Sequence, residues 1–197
     1  MNRDQQMRER TERFAMRATE EGLLDVAYAT AASPVGTVLV AATPRGLVRV
    51  GLPNQDPEAV LAELALKVSP RILEHPARLD EARRELEEYF AGERTSFDLP
   101  VDWRLASGFR RRVLRELAGI PYGQTRTYAE IAARAGNPRA HRAAGSACGA
   151  NPVPLVVPCH RVVRSGGQIG NYGGGSEMKE YLLRLEDALP ERPARAR

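Results

Sequence analysis

Apolar positions along the chain follow a strand-like pattern early and a helix-like pattern later. Residues 25–31, 37–42 and 47–52 are short runs rich in Val, Ala and Leu. They are broken by Ser33-Pro34-Val35-Gly36 and Thr43-Pro44-Arg45-Gly46, and such Pro/Gly punctuation predicts hairpin turns between strands. Two helical patterns follow. Asp56-Pro57 opens the first, with Val60, Leu61, Leu64 and Leu66 as its apolar positions, and the second runs over 79–90 to a stop at Gly92. Residues 24–92 therefore predict a small sheet packed with helices. Residues 1–23 form a polar, helix-prone extension before it, and 93–106, with Pro100 inside, a connector after it.

From 107 to 189 the pattern becomes mainly helical. Phe109, Val113, Leu114 and Leu117 lie at core spacing. Thr127 and Glu130 have the spacing of a capping box, so a helix begins there and ends at Gly136. Asn137-Pro138 then turns the chain into a short helix over 139–148, which gives a helix-turn-helix pattern. That second helix carries Ala140, Ala143, Ala144, Gly145, Ser146 and Ala147, with Arg142 as its main large projecting group. Small residues suit tight packing between helices, and they equally suit close approach to a nucleic-acid groove with one cation reaching inward. Leu155, Val156 and Val157 predict a buried run that carries residue 159 into the interior. Residues 165–175 are too Gly-rich for a packed element and fit a loop lying close to a ligand. Ser176 is placed as the cap of a last helix with Met178, Tyr181, Leu182 and Leu185 on its apolar side. The tail from 190 to 197 is expected to be disordered.

Composition narrows the function classes. At 197 residues, 43% hydrophobic and 27% charged, the chain can bury a sizeable core and is too apolar for a disordered one. No apolar run reaches the ~20 residues of a membrane span, and the first residues lack a signal-peptide core. Asp4, Glu9 and Glu12 also argue against an organelle transit peptide. Two cysteines make no disulfide framework, so Cys148 and Cys159 read as reduced thiols and the compartment as the cytoplasm. Net charge is +4, but from residue 101 onward 16 Arg or Lys face 8 Asp or Glu, a balance of +8, against 13 and 17 before it, a balance of −4. A basic half suits a polyanion, and equally a solvated surface with a loose basic tail.

The candidate chemistry lies at Pro158-Cys159-His160-Arg161-Val162-Val163. A free thiol is mostly protonated at neutral pH, so a nucleophilic Cys159 needs a base or a cationic environment. Neighbouring side chains on a regular strand point apart, so His160 can serve Cys159 only from a bend or through a water. Glu177, Glu180, Glu186 and Asp187 are all open as the acid that would orient the imidazole. Zinc is disfavoured because His75, His141, His160 and the two cysteines have no paired ligand spacing, and no cofactor is expected.

In order and spacing, Thr127-Tyr128, Gly136-Asn137-Pro138, Arg142-Ala143, Asn151-Pro152, the PCHRVV run and Gly170-Asn171-Tyr172 resemble the O6-alkylguanine-DNA alkyltransferases. The resemblance covers about residues 25–187 and is strongest in the last third. It implies an α+β fold: an N-terminal RNase-H-like sheet with helices, and a C-terminal, mainly helical domain holding the helix-turn-helix and the cysteine. It further implies single-turnover repair, in which a base bearing an O6-alkyl group (or an O4-alkylthymine) is flipped out and its alkyl group moves irreversibly to Cys159. His160 would act as base through a water, Glu186 would orient it and Asn151 would brace the site. Tyr128 would donate to guanine N3. The carbonyls of Cys159 and Val162 would accept from the exocyclic amine, and the amide of Gly173 would sit near O6, where several relatives carry Ser. Pro154 and Tyr172 would wall the pocket. Arg142 would fill the gap in the duplex, with Thr127, Ala143 and Gly145 at the DNA face. The implied partner is double-stranded DNA, entered by the minor groove, with the protein a monomer able to assemble cooperatively on it. A binding module that recognises alkylguanine without transfer, and a cysteine hydrolase, are the competing readings. The first lacks the acceptor cysteine this chain keeps, and the second leaves Arg142 and the helix-turn-helix unexplained.

Overall fold

The computed structural model describes residues 3–166 and 168–189. The expected disordered tail at 190–197 lies outside them. The chain divides into two compact units, one running to Ser107 and including Pro152–Pro154, the other comprising Gly108–Asn151 and the residues from Leu155 onward. The architecture is α+β, with a small sheet in the first unit and mainly helices in the second.

In the first unit, α1 (Arg3–Glu20) precedes β1 (Val26–Ala31), β2 (Val38–Thr43) and β3 (Gly46–Gly51). These strands pair antiparallel, Ala29 opposite Val40 and Val40 opposite Val50, with an irregularity at Ala41/Ala42. After α2 (Pro57–Lys67) a three-residue strand, β4 (Ile72–Glu74), joins parallel to β1, giving the order β3-β2-β1-β4. β4 is too short to show a period of two, which is why the sequence pattern did not predict it. Val26, Leu39, Ala41 and Val48 form one cluster with Val60 and Leu64 of α2, and α3 (Asp80–Phe90) packs on β1. β2 is buried at Val38, Leu39, Val40 and Ala41 in succession, as expected of a strand covered on both faces. The extension at the N-terminus is also packed, through buried Ala15 and Ala18, and α1 lies against β4.

The stretch 93–106 is held to β3. Leu47 donates its N–H to the Pro100 carbonyl at 2.7 Å and accepts from Asp102 N–H at 2.8 Å. Buried Asp102 takes the Thr43 hydroxyl at 2.6 Å. Gly46 permits this approach, because a Cβ there would stand 2.2 Å from the Pro100 oxygen, and its φ of +123° already disfavours a side chain.

In the second unit, α4 (Gly108–Ala118) packs against α5 (Tyr128–Arg134) and α6 (His141–Gly149), burying Val113, Leu114 and Leu117. β5 (Arg126–Thr127) pairs parallel with β6 (Val162–Val163) and so ties the start of α5 to the segment after the cysteine. Thr127 and Glu130 make the capping box: the Glu130 N–H reaches the Thr127 hydroxyl, and the Glu130 carboxylate accepts from the Thr127 N–H. α5 ends in a Schellman arrangement. Gly136 sits at φ +84°, with Asn137 N–H to Ala132 O at 2.9 Å and Gly136 N–H to Ala133 O at 3.0 Å. α6 starts at His141, two residues later than the pattern predicts, because Asn137 O accepts from Ala140 N–H and keeps Pro138 and Arg139 in a turn. In α7 (Ser176–Leu185) the cap position belongs to Gly175 at φ +90°, and Ser176 is the first helical residue, not the cap. The buried face of α7 is Met178, Lys179, Leu182 and Leu183, while Tyr181 and Leu185 are only half-buried. Among the described residues no helix is long and apolar enough to cross a membrane.

Candidate active site

The cysteine lies in a bend. Cys159–Arg161 form one turn of 3-10 helix, closed by Val162 N–H to Cys159 O, and entered through Cys159 N–H to Val157 O at 2.8 Å. Leu155, fully buried at φ +74°, turns the chain inward ahead of it. This is the departure from strand geometry that a Cys–His pair needs in order to cooperate. The turn is closed off from solvent, with Cys159 only 4% exposed and His160 not exposed.

Two networks hold the turn. Asn151, at the end of α6, donates its side-chain amide to Val157 O at 2.7 Å and to Cys159 Sγ at 3.2 Å. On the other side, His160 Nε2 lies 2.8 Å from Glu186 Oε1, just past the end of α7. A carboxylate only accepts, so Nε2 carries the ring proton and Nδ1 carries the lone pair that can take a proton. The same carboxylate receives Arg161: Nε to Oε2 at 2.8 Å and Nη2 to Oε1 at 3.0 Å. Arg161 Nη1 also donates to Ile120 O at 2.5 Å, and its guanidinium lies 5.8 Å from the centre of the Tyr122 ring. Glu177, Glu180 and Asp187 are exposed or half-buried at the surface, and Glu186 is the carboxylate on the imidazole.

Protonation follows from these contacts. Burial would push Glu186 up, but its bonds to His160 and Arg161 hold it down at about 2, so it is a carboxylate. Burial lowers His160 against the raising effect of Glu186, which leaves a neutral imidazole. Burial also pushes the Cys159 thiol up, opposed by the Asn151 amide and by the charge of Lys179. The resting thiol is therefore protonated, and a base must act when it attacks.

Tyr128, the first residue of α5, is half-buried, and burial pushes its hydroxyl up to about 12, so it is a neutral donor. That hydroxyl stands 3.5 Å from Asn171 O, and a Cβ on Gly170 would come within 2.7 Å of it. Gly145 of α6 faces the Tyr128 ring, at van der Waals distance for a Cβ. Tyr172 sets its ring edge-on to His160 at 6.3 Å, and its buried hydroxyl has no hydrogen-bond partner among the described residues. Val162 is buried and its carbonyl accepts from Lys179 Nζ. Gly173 is exposed on the loop, and Arg142 and Ala143 are exposed on α6. Thr127 is engaged in the capping box. Pro154 is buried in the 152–154 segment that groups with the first unit. Sequence reasoning gave Arg161 and Lys179 no role. Nothing about a lone Arg or Lys in a sequence reveals that it is buried.

Comparison with known proteins gives consistent matches. Residues 26–103 match the family model for the 6-O-methylguanine DNA methyltransferase ribonuclease-like domain, and residues 108–188 match that for the DNA binding domain of the same family. The chain is 40% identical over 159 residues to a methylated-DNA–protein-cysteine methyltransferase of Methanosarcina acetivorans, covering 81% of this chain and 97% of the relative. It is 42% identical over 161 residues to one of Mycolicibacterium paratuberculosis, covering 82% and 92%. A crystal structure of the Mycobacterium tuberculosis O6-methylguanine methyltransferase aligns with TM-score 0.72 and 38% identity, covering 86% of this chain and 96% of that one. A structure of the M. tuberculosis protein in complex with DNA aligns with TM-score 0.72 and 37% identity, covering 84% and 96%.

Proposed function

Because the chain belongs to the methylated-DNA–protein-cysteine methyltransferase family, we propose that it repairs alkylated guanine in duplex DNA by moving the alkyl group onto Cys159. The observation that carries this reading is the buried sulfur of Cys159, held by Asn151 and adjoining the His160–Glu186 pair.

A thiol this enclosed cannot reach a base inside the stack, so the damaged nucleotide must swing out of the duplex. The exposed Arg142 on α6 fills the space it leaves. Ala143 and Gly145 allow α6 to lie close to the minor groove, with Thr127 at the start of α5 beside it. In the pocket, the carbonyls of Cys159 and Val162 each retain a lone pair for the exocyclic amine of guanine. Tyr172 bounds the ring, and the Gly173 amide faces O6.

Sγ attacks the alkyl carbon, a carbon–sulfur bond forms and the carbon–O6 bond breaks, its electron pair leaving with guanine. The thiol proton passes to His160 through a water. Glu186, kept ionised by Arg161, stabilises the imidazolium that results. Tyr128 donates to guanine N3 and offsets the charge of the departing base, which takes up one proton overall. The product is a thioether that water does not reverse, so each molecule reacts once.

The test is a duplex carrying one O6-methylguanine incubated with the protein, followed by intact mass and peptide mapping. One methyl on Cys159 is expected, and Cys159→Ala should bind the duplex without accepting it. Unmodified protein after prolonged incubation with excess substrate would overturn the reading.

A further inference from the structure

Lysine is scarce in this chain. Of 29 basic residues only Lys67 and Lys179 are lysines. Lys67 is exposed on α2 and paired with Glu63 at 2.7 Å. Lys179 has no exposed surface, and its Nζ donates to the carbonyl of Val162, the residue that closes the cysteine turn. Among the described residues no carboxylate lies within ion-pair distance of it. A buried ammonium without a counter-charge costs several kcal/mol, so its retention calls for an explanation.

The other charges of the site cancel. Glu186 is matched by Arg161, and His160 is neutral. The groups that face Lys179 electrostatically are the buried thiols of Cys159 on the 3-10 turn and Cys148 on α6, together with exposed Arg164 after β6. Cys148 is pushed up to about 12 and stays neutral. Cys159 itself accepts from Asn151 and feels the charge of Lys179, and its own charge acts on the phenols of Tyr128 and Tyr172. The unmatched cation therefore faces the one group that must become an anion during alkyl transfer. A compact ammonium also suits a single sulfur atom better than the broad guanidinium fork used elsewhere in this Arg-rich chain.

We propose that Lys179 is a positioning residue for Cys159: its ammonium is the buried counter-charge of the thiolate, and through the Val162 carbonyl it fixes the turn that presents the sulfur. This deepens, and rests on, the alkyl-transfer reading. When the thiol proton moves to His160, the anion forms beside a charge already in place, so no solvent need reorganise around it.

The test uses the full chain and iodoacetamide, a small probe that needs no DNA, with peptide mapping to follow Cys159 across pH. In Lys179→Met the pH midpoint for alkylation of Cys159 should rise by about one unit or more, and the rate near neutrality should fall about tenfold. Lys179→Arg, which keeps a charge, should stay nearer to wild type. An unchanged midpoint in Lys179→Met, or equal shifts in the two variants, would overturn the proposal. If Lys179→Met does not fold, lysine labelled with carbon-13 at Cε gives only two signals in this chain. That of Lys179 should titrate at lower pH in Cys159→Ser than in wild type, and identical titrations would be fatal. Failure of the wild-type protein to accept methyl from duplex would instead strike the alkyl-transfer reading, since the iodoacetamide midpoint does not depend on it.

Discussion

Asn151 donates its side-chain amide to the sulfur of Cys159 at 3.2 Å while also donating to the Val157 carbonyl at 2.7 Å. One group thus fixes both the sulfur and the chain that enters the turn. A hydrogen bond to the charged form of a group favours that form, so Asn151 should matter more to the thiolate than to the resting thiol. Asn151→Ala is expected to slow methyl transfer by about 5- to 30-fold, from loss of about one to two kcal/mol of such bonding. Single-turnover kinetics on a methylated duplex measure this. A rate within twofold of wild type would show that the bond is idle.

Arg161 and His160 share the Glu186 carboxylate, and removing Arg161 would leave that charge buried without its guanidinium. Arg161→Met should destabilise the protein by about 3–5 kcal/mol, the usual cost of breaking a buried pair from one side. It should also raise the pH at which His160 protonates, since Arg161 now opposes that charge. Chemical denaturation and imidazole NMR report the two effects separately.

Acid should weaken the fold in two steps. The folded state holds His160 below its ordinary value of 6.5, so the unfolded chain binds a proton first, and stability falls as pH drops below about 6.5. Glu186 is lowered from 4.5 to about 2, so its contribution is present above 4.5 and is lost as pH falls toward 2. That shift corresponds to roughly 3 kcal/mol. Melting temperature followed from pH 8 to 3 checks both steps, and His160→Asn should remove the first and weaken the second, because the His160 bond helps to hold Glu186 down.

The start of α5 offers a contrast. Thr127→Ala removes the hydroxyl half of the capping box and should cost about 1 kcal/mol in stability. Because Tyr128 is the first residue of that helix, a change in transfer rate larger than the stability loss would mean that the cap also aims the phenol.

The broad plan was legible because it rests on local signals. Turn tetrapeptides, the Asp56-Pro57 start, the Thr127/Glu130 pair and Gly136 all act within a few residues of themselves, and each marks an element boundary close to where the structure has it. Strands β4, β5 and β6 were illegible because two or three residues carry no period. The site divides in the same way. Residue pattern left four carboxylates open for His160, and family resemblance singled out Glu186, the one the structure puts there. Arg161 and Lys179 stayed hidden because their burial depends on partners 25 and 17 residues away. Apolar periodicity on α7 pointed to Tyr181 and Leu185, whereas Lys179 and Leu183 take the interior.

The chain does not complete its first compact unit in the order in which it is made. Val50 donates its N–H to the Pro152 carbonyl at 2.8 Å, and the buried Arg49 sends Nη1 toward the same oxygen at 3.4 Å. A ribosome delivers β3 about a hundred residues before Pro152, so that donor and that guanidinium wait for about half of the second unit to be synthesised. The segment they wait for directly follows Asn151. A nascent chain arrested before that point would lack the final contact of its sheet, and its sulfur would not yet exist to be alkylated.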